Sequence, residues 1–238
     1  MAIILQTVGE SVGTNGTTIA AILPTGLTVG DLMIALFYSR ATGGGKSVAI
    51  STGWTEIYNN LGTGGLIAGW WKQWNSGDAA PTMTQTSFTT GASGDTTLLQ
   101  ILRLSGTDTR SPIANVGTVG NFAASTTTIG PISASSIVLD PNNMAMIHAG
   151  RLDDAGSSLS TTGDGLSWQP PSGTTSKTSS TAGSDAAAMY FYANNTTTSA
   201  VTLTDKTITI GASGVLFAST GVLFELKAAK PYSQAIII

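Results

Sequence analysis

The chain has no cysteine, one histidine (His148) and three glutamates (Glu10, Glu56 and Glu225) among its 238 residues. The lack of cysteine excludes a disulfide framework, a thiolate metal site and a cysteine nucleophile. A single imidazole excludes a histidine-rich metal centre. Charge is equally scarce. Ten Lys+Arg and thirteen Asp+Glu give a net charge of −3 and a charged fraction of 10%, where roughly a quarter is usual. So little positive charge cannot neutralise many phosphates, and nucleic acid is not expected as a partner. Long apolar runs are missing too: stretches such as Leu32 to Phe37 fall far short of the ~18 residues that span a bilayer. The start, Met1 to Gln6, has no basic residue, and the first one is Arg40. No secretory signal is expected, and neither is a membrane partner.

Polarity is carried instead by hydroxyls, with 37 Thr and 26 Ser beside 29 Gly. Hydrophobic residues make up 41%, enough for a core, and the low net charge argues against wholesale disorder. Short apolar or alternating runs dominate: Leu32 to Tyr38, Leu98 to Leu104, Val201 to Thr204 and Thr207 to Ile210. Gly, Asn, Asp, Ser or Pro bound them, and Thr inside them fits a pleated surface. No long stretch keeps a capped helical period. The expected class is all-β.

The sequence also repeats itself. Gly30-Asp-Leu-Met-Ile-Ala35 resembles Asn142-Asn-Met-Ala-Met-Ile147, Gly53-Trp54 matches Ser167-Trp168, and Ile101-Leu-Arg-Leu104 matches Leu223-Phe-Glu-Leu226. At a constant offset, Trp70-Trp71 falls on Tyr190-Phe191, which assigns Trp70 and Tyr190 a common core role. The expected organisation is a β-sandwich over 1–227 with internal duplication, repeat 1 at about 3–106 and repeat 2 at about 112–227. A C-terminal extension, 228–238, comes after it as an interaction arm. The join is short, so the expectation is one jelly-roll-like sandwich whose halves share two sheets and one core; two separate sandwiches are the alternative.

The run of Gly30-Asp-Leu-Met-Ile-Ala35, Gly53-Trp-Thr55, Trp70-Trp71, Gly77-Asp78 with Pro81, Leu102-Arg-Leu-Ser-Gly106 and Ser111-Pro-Ile113 resembles a family of β-rich proteins of tailed bacteriophages and prophages. That family is marked by Gly-Asp-Leu-Leu, Gly-Trp-Thr and Tyr-Arg-Gly landmarks. The resemblance covers nearly the whole chain and departs at Asn142-Asn143. It implies a β-rich fold and a virion context and transfers no active site, because the shared motifs are scaffold motifs.

Each sequence candidate for chemistry has a plainer reading. Arg40-Ala-Thr-Gly-Gly-Gly-Lys-Ser47 lacks the first glycine of a phosphate loop and is followed by a strand-like run, so a glycine-rich hairpin is expected. His148 sits in a strand-like run and reads as a packed or surface residue rather than a general base. None of the three glutamates has an acidic neighbour, which disfavours paired-carboxylate glycan hydrolysis. Asp153, Asp154 and Asp164 offer oxygens for Ca²⁺ but match no known loop. No catalytic residue, metal or cofactor is expected.

The candidate contact residues are Trp71 and Trp74, as exposed aromatics able to anchor a subunit or stack on a sugar, and Tyr232, Ile236, Ile237 and Ile238 of the tail. Pro231 turns the tail away from the last repeat strand, and three terminal isoleucines suit addition to a neighbour's sheet edge. The expected function is a non-enzymatic virion protein, a capsid decoration or cement protein on the particle surface. Its partners would be the major capsid protein and copies of itself as a homo-oligomer. The alternative is a tail-fibre or receptor-binding module that recognises a host glycan.

Overall fold

Runs with period two and β-branched or aromatic residues become strands, and glycine-rich connections become the turns between them. The structure, a computed structural model, describes the chain except residues 1, 15–17, 42–44, 88–94, 126, 135–136, 153–156, 161–163, 170–174, 178–185, 211–216 and 231–238. All its regular elements among the described residues are strands, so the protein is all-β. The first half contributes β1 (Ile4–Thr14), β2 (Thr18–Ala20), β3 (Leu32–Ser39), β4 (Ser47–Ile50), β5 (Thr55–Gly62), β6 (Gly65–Gln73), β7 (Thr82–Thr86) and β8 (Thr96–Ser105). The second contributes β9 (Ile113–Val116), β10 (Gly120–Ser125), β11 (Thr128–Ile132), β12 (Val138–Leu139), β13 (Met144–Arg151) and β14 (Ser157–Ser160). It continues through β15 (Thr175–Lys177), β16 (Ala186–Asn194), β17 (Val201–Thr202), β18 (Lys206–Ile210) and β19 (Phe217–Leu226).

Two large antiparallel sheets run in the orders β1-β8-β3-β6-β5 and β10-β19-β13-β16-β15, with β9 also pairing with β19. Two small sheets, β2-β7-β4 and β11-β18-β14, and the pair β12-β17 complete the set. Element by element, the order of each large sheet in one half is that of the other.

Three separate cores show how these sheets stack. Alternation of buried and exposed residues is absent from the central strands; β3 and β13 are buried along their whole length. One face of β3, with Leu32, Ile34, Leu36 and Tyr38, meets Met144 and Met146 of β13 and Tyr190, Val222 and Phe224 in a central core. The other face, with Met33, Ala35 and Phe37, packs under Ile19, Val48 and Met83 of the small sheet. In the second half, Ala145, Ile147 and Ala149 pack under Ile129, Ile208 and Ile210. The layers are therefore small sheet, large sheet, large sheet, small sheets.

This corrects the expectation of one sandwich with shared sheets. Each described strand pairs within its own half, and the halves meet through side chains across the central core. The physical reason lies in the central strands. A sheet that is apolar on both faces needs a cover on each, and one shared sandwich covers only one.

Register corrects a second expectation. Leu32 pairs with Gln73, and its counterpart Met144 pairs with Asn194. Trp70 consequently matches Phe191, not Tyr190. Trp70 and Phe191 both point into outer cores, whereas Tyr190 points into the central one. A slip of one residue moves a strand side chain to the opposite face. Trp54 and Trp168, by contrast, both pack on the outer cores.

The halves approach most closely where glycine permits it. A Cβ on Gly150 of β13 would lie 2.0 Å from Cδ2 of Tyr38 on β3. The Tyr38 hydroxyl donates to the Gly64 carbonyl at 2.8 Å, which fixes the ring in that position. Gly150→Ala is expected to destabilise by about 1–3 kcal/mol through overpacking. Leu102→Ala and Phe224→Ala, both in the central core, are each expected to cost about 2–5 kcal/mol. Denaturant unfolding of the three variants checks these values.

Candidate functional site

The matched ends of β3 and β13 carry the most informative polar groups. Before β3, the Asp31 N–H donates to the Thr28 carbonyl at 3.0 Å, and Gly30 takes a φ of 94°. Before β13, the Asn143 N–H donates to the Asp140 carbonyl at 3.1 Å, and Asn142 takes a φ of 68°. Asparagine is one of the few residues other than glycine that tolerates this left-handed backbone. The departure at Asn142-Asn143 thus preserves the turn.

The two turns lead into polar pairs of different charge. Arg103 Nε donates to Asp31 Oδ2 at 2.7 Å, and its Nη1 reaches the Thr25 carbonyl at 3.2 Å. Burial alone would raise the Asp31 pKa, but hydrogen bonds from the Thr28 N–H and Arg103 hold it below the usual carboxylate value. At the matched positions of the second half stand Asn143 and Glu225. Asn143 Nδ2 donates to Glu225 Oε1 at 2.7 Å, and Asn115 Nδ2 donates to Oε2 at 2.6 Å. The Ala228 N–H in turn donates to Asn143 Oδ1 at 2.8 Å, locking the amide's orientation.

Glu225 is 1% exposed and lies on the wall of a cavity of about 510 Å³, shared with Asp108, Asp140, Lys227 and Lys230. Hydrogen bonds from the Arg110 and Ser111 N–H groups hold the Asp108 carboxyl below its ordinary pKa. Both Glu225 oxygens accept from side-chain amides, which hold the carboxylate in place. The cleft is lined by acidic and basic side chains and includes Lys230. The sequence carried one signal for it, the reversal from Arg103 to Glu225 within otherwise matched strands.

No family model, curated protein or solved structure matches the chain. The geometry alone therefore speaks for its chemistry.

Trp71 is half-buried against the central core, and Trp74 is half-buried against the outer core on the opposite face, with Trp70 fully inside. The tail residues Tyr232, Ile236, Ile237 and Ile238 lie outside the described residues, as do Asp153 and Asp154. The Asp164 side chain is enclosed and ion-paired with Lys206. Glu10 accepts from Gln100 at 2.9 Å and Glu56 from Asn59 at 3.3 Å, each in its own neighbourhood. Of the glycine-rich hairpin, residues 42–44 lie outside the described set. Lys46 is tied to Asp95 at 2.6 Å, and strand β4 comes next. Among the described residues, no three His, Asp or Glu side chains gather as metal ligands.

His148 is fully buried in the central core, where its Nδ1 shares a 2.7 Å hydrogen bond with the Tyr58 hydroxyl of the opposite sheet. Burial pushes its pKa down from 6.5 to about 3, and burial pushes the Tyr58 phenol well above its ordinary value. A neutral histidine with one ring nitrogen engaged and the other enclosed is a cross-sheet pin. It is not placed to act on a substrate.

That pin makes stability depend on pH. The unfolded chain takes up a proton on His148 below pH 6.5, and the folded chain resists until about pH 3. Stability is therefore full above the unfolded value and falls as pH drops through that window, by up to ~1.4 kcal/mol per pH unit. Carboxylates held below their ordinary values act only lower in the range. Replacing both partners with apolar groups, His148→Leu with Tyr58→Phe, is expected to leave neutral-pH stability nearly unchanged. The same double variant should flatten the slope between about pH 6 and 4, as read by denaturant melts across that range.

Proposed function

We propose that this chain is a non-enzymatic structural protein of a tailed-phage particle, a decoration or cement protein that binds the major capsid protein as a homo-oligomer. The observation that carries the reading is the strand order. In each half the chain passes between two layers, with β1-β8-β3-β6 beside β2-β7-β4 in the first and the matching orders in the second. With β5 added beside β6 in the large sheet, we read this order as jelly-roll-like and the molecule as two duplicated halves joined through their larger sheets. Jelly rolls serve repeatedly as capsid building blocks. The likeness of Gly30-Asp31, Gly53-Trp54 and the other landmarks to phage virion proteins supports the same assignment. So do the roles of His148, Glu225 and Lys206, each engaged in holding the fold.

Jelly rolls also occur in lectins, and the partial exposure of Trp71 and Trp74 favours, as a second reading, a tail-fibre module that binds a host glycan. Both rings lean on cores, however, and they lie on opposite faces of their sheet. That leaves no shared aromatic platform for a sugar.

Location separates the two readings. Gel densitometry of purified particles should give a copy number in proportion to the major capsid protein; a copy number matching the tail would favour the glycan-binding reading. Lys230, the last described residue, lines the Glu225 cavity. Deleting residues 233–238 is expected to leave thermal unfolding of the isolated chain unchanged and to lower particle occupancy. Unchanged occupancy would remove the arm from the assembly contact.

A further inference from the structure

Lys206 is a buried nucleophile that takes no part in joining the two halves. It is 1% exposed as a residue and its side chain is fully enclosed, on the inward face of β18 with Ile208 and Ile210. Its Nζ contacts Oδ2 of Asp164, whose side chain is 2% exposed. Desolvating an ion pair costs several kcal/mol per ion, so such a pair in an apolar layer is expensive unless something further is gained.

The surroundings are arranged around the Asp164 carboxyl. The Leu166 N–H donates to Oδ1 at 3.1 Å. Trp168 Nε1–H donates to Oδ2 at 3.4 Å, and the Trp168 ring lies 5.5 Å from Nζ. Lys206 Nζ also donates to Thr204 Oγ1 at 2.9 Å, which fixes the direction of the amine. The neighbouring carboxylate, Asp205, is turned to the Ala134 N–H at 2.9 Å. The result is an amine held against a carboxyl whose two oxygens each face a donor, in a pocket closed to bulk water.

We propose that Lys206 and Asp164 form an intramolecular isopeptide bond. Moving one proton between the touching atoms gives a neutral amine and a carboxylic acid. The Nζ lone pair then attacks Cγ of Asp164, and negative charge develops on Oδ1, where the Leu166 N–H stabilises it as an oxyanion donor does. The Cγ–Oδ2 bond breaks, and Oδ2 leaves as water with its own proton and one from the amine. The product is a secondary amide and one water, with no oxidant or other reactant. Proximity supplies much of the acceleration, since both groups are fixed before reaction. The bond ties β18 to the loop before Trp168, closing the outer layer of the second half covalently. This chemistry is independent of the role in a particle, although a cross-linked shell protein would benefit from it.

Intact mass spectrometry of the purified full-length chain under denaturing conditions tests the bond. The expected mass is lower than the sequence mass by one water, and a tryptic digest should contain one branched species that joins the Lys206 and Asp164 peptides and is uncut at Lys206. Lys206→Arg keeps the charge but cannot form this amide, so it should restore the sequence mass. Asp164→Asn should lose ammonia instead and reach the same final mass as the wild type. Asp164 precedes Gly165, so a succinimide at that bond would also lose water. A loss that persists in Lys206→Arg would therefore overturn the proposal. So would a wild-type chain at its full sequence mass, or a digest without the branched peptide, neither of which depends on a variant folding.

Discussion

Two strands without a wet face set the constraint on which the rest of the fold depends. β3 and β13 are the middle strands of the two large sheets, and each is buried on both sides. An antiparallel sheet ordinarily keeps one face in solvent and alternates apolar with polar residues. Here the alternation is suspended, and the sequences Leu32 to Tyr38 and Met144 to Ala149 are almost continuously apolar. Each large sheet must then be covered twice, once by its own small sheet and once by the other large sheet. The close contact of Tyr38 with Gly150 marks how tightly the second cover fits.

Polar groups inside such a stack are costly to leave unpaired, because each then incurs its full desolvation cost. Several of them stand in pairs that also fix position. Asp31 with Arg103 and Asn143 with Glu225 lock the start of each middle strand to the end of its neighbour. His148 with Tyr58 pins one large sheet to the other, and Lys206 with Asp164 fastens the outer layer. The chain as a whole carries few charges and many hydroxyls.

Much of this was legible in the sequence, and the rest was hidden for identifiable reasons. The apolar runs marked the strands, and the likeness of residues 30–35 to 142–147 marked the correspondence of the middle strands. The layering was not legible, since a continuous apolar run reads the same whether one sheet or two lie above it. The pairing of Trp70 with Tyr190 failed by one residue, because a constant offset ignores small differences in loop length while register does not. The Glu225 cavity was hidden because its walls come from segments far apart in the chain. Asn143, Asn115 and Glu225 are brought together only by strand pairing.

The central claim is that the two halves form one cooperative body through the faces of their large sheets. Native-state hydrogen exchange across a denaturant series tests it most directly, by comparing the slowest amides of β3 and β8 with those of β13 and β19. A single cooperative body predicts that these amides open with one common free energy and one common denaturant dependence. Two distinct free energies, with one half exchanging while the other stays protected, would contradict it.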